Sequence, residues 1–136
     1  EDDIIFDKYW YKIEDAMAQL PKEWDILYLG CNFAAGQVDW QMPVRVAANL
    51  LRLFNAWQSH AIVYSQAGAK YVIDNFNPDT FPVYDEWIRL NMMQTHNVYC
   101  IAPMICDQRP GYSDIWQQDV AYGCHHEGNE WIKNNT

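Results

Sequence analysis

Glu1, Asp2 and Asp3 open the chain and run straight into the apolar triplet Ile4-Ile5-Phe6. In an extended segment side chains alternate, so Glu1 and Asp3 share a face and Asp2 points the other way. Two carboxylates on one face repel unless a cation joins them, and a hard divalent ion that takes oxygen ligands, Mg²⁺ or Mn²⁺, is the usual one. A solvated acidic terminus is the plainer alternative. A second dense group is Cys124-His125-His126-Glu127. Adjacent histidines diverge in an extended segment, so at most one would reach a shared ion, and two surface histidines in a polar tail are the alternative. A third pair, Asp85 and Glu86, follows Pro82-Val83-Tyr84 where a helix is expected to begin, and there its carboxylates offset the helix dipole.

These groups need elements to hold them. Phe6, Trp10, Ile13, Met17 and Leu20 recur at helical spacing, which predicts a helix from Asp7, its N-cap, to Leu20, stopped by Pro21, with the stripe facing the core. Trp24 to Gly30 reads as a short buried strand closed by glycine. The acids then end one strand, a helix follows, and a second strand follows the helix, so they stand where open α/β sheets place ligands. Asn32 to Val38 is a loop, and Val44 to Phe54 fits helix or strand equally. His60 to Ser65 reads as a strand, with His60 a satisfied core histidine. Ser65 caps a helix over Gln66 to Ile73. Asn75 to Phe81 is a loop, Pro82 to Leu90 a helix, and Asn97 to Pro103 a final strand. Beyond it the chain turns polar and irregular from Asp107 to Ile115.

The 136 residues suit one α/β domain with a real core. Half of them are hydrophobic, and Trp 7 with Tyr 9 is an aromatic inventory that no disordered chain carries. A formal charge of −9 disfavours nucleic acid and anionic membrane, since both need lysine and arginine to neutralise phosphate. No stretch is apolar enough to span a bilayer. Cys31, Cys100, Cys106 and Cys124 lack the spacing of a structural zinc site, so reduced, mostly buried thiols are expected.

Five stretches in order carry a family resemblance: Glu1-Asp2-Asp3-Ile4, Trp24 to Gly30, His60 to Ser65 with Gly68-Ala69, Pro82-Val83-Tyr84-Asp85, and Ser113-Asp114-Ile115. Together they resemble glycosyltransferase family 25, the lipopolysaccharide-biosynthesis and procollagen galactosyltransferases. The resemblance implies a GT-A fold, a UDP-sugar donor (typically UDP-galactose), a Mn²⁺ or Mg²⁺ ion, a glycan or glycoprotein acceptor, and transfer with inversion. It further implies that Glu1 and Asp3 hold the metal, with His126 completing its shell. Asp2 faces the bound donor. Asp85, or failing it Glu86, is the base for the acceptor hydroxyl. Asp114 either caps its own loop or faces a substrate. Family members carry a nucleotide-binding half before the acidic motif, so this chain is expected to be the C-terminal part of such an enzyme. It would then need that segment, or another copy of itself, as a partner. The Pro-Val-Tyr-Asp stretch is one residue longer than the family's Pro-Val-Asp. Two further classes fit the same residues: a non-catalytic carbohydrate-binding or scaffolding module, and a metal-dependent phosphoesterase.

Overall fold

The computed structural model describes residues 3–33, 41–113, 117–121 and 124–136, with the backbone alone at 124 and 125. Its centre is a five-stranded mixed sheet. Numbered in chain order, the strands are β1 (Ile4–Phe6), β2 (Ile26–Tyr28), β3 (Val44–Ala47), β4 (Leu50–Arg52), β5 (Ile62–Tyr64), β6 (Val98–Ile101), β7 (Cys106–Gln108), β8 (Gly111–Ser113) and β9 (Gln118–Val120). The helices are α1 (Ile13–Gln19), α2 (Gln66–Asn75), α3 (Tyr84–Asn91) and α4 (Cys124–Asn135). The sheet runs β3-β4-β6-β2-β5, with β2 and β6 parallel and the other neighbours antiparallel. The mixed α/β class expected from the sequence is the one observed.

Strand periodicity explains the layering. Alternate residues face opposite sides of a sheet, and each central strand divides its apolar residues between two cores. Ile26, Tyr28, Leu51, Leu53, Val98 and Cys100 face one side, where Trp87 and Ile88 of α3 and Ile132 of α4 close over them. Leu27, Leu29, Leu50, Tyr99 and Ile101 face the other, covered by Ala16 and Ile13 of α1. Each fully buried leucine or isoleucine here contributes about 1.5–3 kcal/mol. The ambiguous Val44 to Phe54 stretch resolves into the β3–β4 hairpin.

Local chemistry sets the helix boundaries. Ser65 caps α2 by accepting from the Gly68 amide at 3.0 Å. Gly68 also lets α2 lie close against the residue before β2, since a Cβ there would lie 2.2 Å from the Asp25 carbonyl oxygen. Leu20 is extended before Pro21, as the proline ring requires, and ends α1.

Three expectations are corrected. The N-terminal helix starts only at Ile13, after a 3₁₀ turn over Trp10–Lys12, while Phe6 belongs to β1. The five-residue stripe is therefore not one helical face: Phe6 is 62% exposed, Trp10 61% and Met17 38%, and only Ile13 and Leu20 pack on the core. Asp7 is not the helix N-cap; it accepts from the Tyr9 amide at 3.1 Å, just before the 3₁₀ turn, which has no side-chain cap. Asp3 does not end a strand of the main sheet either, and Glu1 and Asp2 lie outside the described residues. Asp3 stands at the N-terminal end of β1, which pairs antiparallel with β7 in a separate two-stranded ribbon. Finally, the stretch from Asp107 to Ile115 is not irregular throughout. It carries the end of β7 and all of β8, which pairs with β9; α4 follows, with Gly128 against Met104 and Asn129 bonded to both the amide and the carbonyl of Met104.

Candidate functional site

The parallel strands β2 and β6 both finish at the same end of the sheet, and the chain crowds that end. The Leu29 amide bonds the Ala61 carbonyl, which brings residues 57 to 61 alongside, and the Ile105 amide bonds the Leu29 carbonyl, which seats the β1–β7 ribbon there too. Gly30 is the pivot. A Cβ at this position would meet the Cys106 carbonyl oxygen at 2.1 Å and His60 Nε2 at 3.1 Å, so only glycine lets the ribbon and the histidine close on the strand end.

Across this end runs a hydrogen-bonded path. Asp3 Oδ2 accepts from Gln108 Nε2 at 3.2 Å, and Gln108 Oε1 accepts from Gln58 Nε2 at 3.2 Å. The Gln58 amide then donates to Asp85 Oδ2 at 2.9 Å. The other Asp85 oxygen accepts from the Glu86 amide at 2.8 Å, which holds the carboxylate across the first turn of α3. Gln58 takes a φ of 72°, the left-handed region that a side chain other than glycine seldom adopts, and the Asp85 bond fixes it there.

Glu86 is committed differently. Arg89 donates to both its oxygens and the Trp57 indole donates to Oε2 at 3.0 Å. The Arg89 hydrogen bonds hold its carboxyl below the usual carboxylate value. Beside Asp85, the Tyr64 and Tyr84 hydroxyls share a hydrogen bond of 2.6 Å, and burial pushes both phenols up.

His60 corrects another expectation. It is 3% exposed, yet neither ring nitrogen completes a hydrogen bond, so it is a buried histidine but not a satisfied one. Burial lowers its pKa below the ordinary 6.5, opposed by Asp107 and Asp3 nearby. The Cys106 carbonyl also lies close enough to favour protonation without reaching hydrogen-bond geometry. The other buried side-chain atoms without a partner among the described residues are Asp3 Oδ1, Gln58 Oε1 and the Tyr28 hydroxyl. Tyr28 is raised well above its ordinary value, by burial first and then by Cys31, Tyr64, Asp85 and Tyr84. All of these atoms belong to, or adjoin, the path from Asp3 to Asp85.

Set against family models, curated proteins and solved structures, the chain matches none of them. Of the residues singled out in the sequence, Asp3 and Asp85 are brought onto one path, and Glu86 neighbours it. Glu1, Asp2 and Asp114 lie outside the described residues. His126 is exposed on the first turn of α4. Among the described residues no three His, Cys, Asp or Glu groups converge as a metal site. Asp3 Oδ1, buried and unpartnered, fits one oxygen ligand to a hard cation. Cys31, Cys100 and Cys106 are buried free thiols, as expected, while the Cys124 side chain lies outside the described residues.

Gln58 and Gln108 were not singled out. They are 50 residues apart and meet only through the fold. The available signal was local: each is a polar residue beside a buried strand at the loop side of the sheet.

Proposed function

We propose that this chain belongs to a metal-dependent inverting glycosyltransferase of GT-A type, moving a hexose, galactose in the favoured case, from a UDP-sugar to a glycan or protein-linked acceptor. The observation that carries this is the path Asp3–Gln108–Gln58–Asp85. It links the candidate metal acid to the candidate base across the C-terminal end of β2 and β6, where open α/β sheets bind ligands. Segments far apart in sequence meet there: Asp3, the Gly30 strand end, His60, and the first turn of α3.

Glu1 and Asp3 are the residues that would hold the ion, with His126 a further candidate, and a bound divalent cation supplies charge neutralisation on a departing diphosphate. Asp85 is the better base of the two acids. Its oxygens each accept one backbone N–H, leaving acceptor capacity for a hydroxyl proton, whereas Glu86 is held as an anion by Arg89 and Trp57. Gln58 and Gln108 hold the two carboxylates in register before a ligand binds.

The test is UDP release from UDP-galactose with Mn²⁺, using the full-length protein. Asp85→Asn is expected to lower turnover by about 10²–10⁴ with donor affinity nearly unchanged. Turnover within a few-fold of wild type would make Asp85 a helix-capping acid only. Hydrolysis of a model phosphoester without sugar transfer would replace the transferase by a phosphoesterase.

A further inference from the structure

Native interiors pair nearly all their buried polar atoms, and an exception calls for a cause. Here the exceptions gather. Asp3 Oδ1, Gln58 Oε1 and both His60 nitrogens are buried without partners, and Gln58 also carries a left-handed backbone at φ 72°. Strained backbone of this kind persists where the surroundings over-determine it, and such positions concentrate at ligand-binding sites. The side-chain bonds that join Gln58 to Gln108 and Gln108 to Asp3 are both 3.2 Å, at the long end of the N–H···O range.

The chemistry of the orphaned set defines its complement. Asp3 Oδ1 and Gln58 Oε1 only accept, while a neutral imidazole offers one donor and one acceptor. A partner must therefore present at least three donors and one acceptor within a small volume. Adjacent hydroxyl groups on one ring do this, since each hydroxyl both donates and accepts. We propose that Gln58 and His60, with Asp3, form a hydroxyl-reading subsite for a polyhydroxylated ligand, and that the Gln58–Gln108 amide pair is the latch that the ligand displaces. The ligand class follows from the unpartnered atoms; its identity as a hexose rests on the transferase reading above.

Saturation-transfer NMR of the full-length protein with methyl β-galactoside tests the subsite, and a parallel titration with UDP and Mn²⁺ tests the donor reading separately. Wild type is expected to give transfer to the galactoside at about millimolar affinity, the range that a few hydrogen bonds support. Gln58→Gly removes the amide but accepts the left-handed backbone, so it should fold and bind the galactoside about tenfold more weakly. The Gln58 and Gln108 side-chain amides and the His60 ring protons of wild type should shift on galactoside addition, a readout that needs no variant. No transfer in wild type, equal binding by Gln58→Gly, or unmoved amide and imidazole resonances would each show that only water fills these atoms. UDP and Mn²⁺ binding without galactoside contact would overturn the subsite and leave the transferase standing. Galactoside binding without UDP would do the reverse.

Discussion

The middle of the sheet and its C-terminal end are built on opposite terms. In the middle, Leu27, Leu50, Leu51 and Val98 are fully buried and apolar, and their strands pair along the ladder. At the end, where Asp3 before β1 and residues 57 to 61 before β5 crowd the strand ends, buried polar atoms go unpaired and Gln58 holds a strained backbone. Burial is common to both regions, so it cannot be what separates them. The separation is in what burial costs: apolar side chains gain from it, whereas an unsatisfied amide or carboxylate costs about 1–3 kcal/mol. Buried groups of that kind call for a cause, and the hydroxyl-reading subsite proposed above would supply one.

The largest effect should come from the apolar region. Leu51→Ala is expected to cost about 2–5 kcal/mol in urea unfolding while leaving ligand binding intact where the protein stays folded. Binding lost in proportion to stability would mean the two regions are not separable. Next is Gly30→Ala, where the added Cβ meets the Cys106 carbonyl oxygen at 2.1 Å. It should cost about 1–3 kcal/mol and push the β1–β7 ribbon, with Asp3, away from the strand end. Retained binding with lost stability would limit Gly30 to packing.

The third effect is a pH dependence. The His60 pKa is lowered from 6.5 in the folded state, so the unfolded chain binds the extra proton first. Stability is undiminished above about pH 6.5 and falls as pH drops from there towards the folded value, with a slope of at most about 1.4 kcal/mol per pH unit. His60→Asn should flatten that slope in chemical unfolding between pH 7 and 5, and a slope equal to that of wild type would assign it to other groups. The smallest effect is at Glu86. Its carboxyl is lowered by Arg89, so the pair stabilises above the ordinary carboxylate value of 4.5 and is lost as pH falls through the folded value. Both side chains are partly exposed, and Glu86→Gln should cost less than about 1 kcal/mol, read as a small shift in Tm.

The amino-acid sequence by itself determined the elements whose local chemistry and burial agree. Ser65 announced α2, Asp85 and Glu86 the start of α3, and the apolar runs at Ile26 to Tyr28 and Val98 to Ile101 the central strands. The stretch from Cys124 read as a polar tail, and it forms α4. Only the tertiary structure decided the rest. Spacing at threes and fours marks a helical face but does not make every member helical, and Phe6 in a strand and Trp10 in a 3₁₀ turn broke the stripe. The acidic opening looked like the end of a sheet strand, yet β1 pairs with β7, a partner about a hundred residues on that no local pattern names. The same holds for Gln58 and Gln108, whose contact depends on which strand ends meet. Local preference acts over a few residues, whereas a site at a sheet end is assembled by the long-range pairing that the cores on both faces make stable.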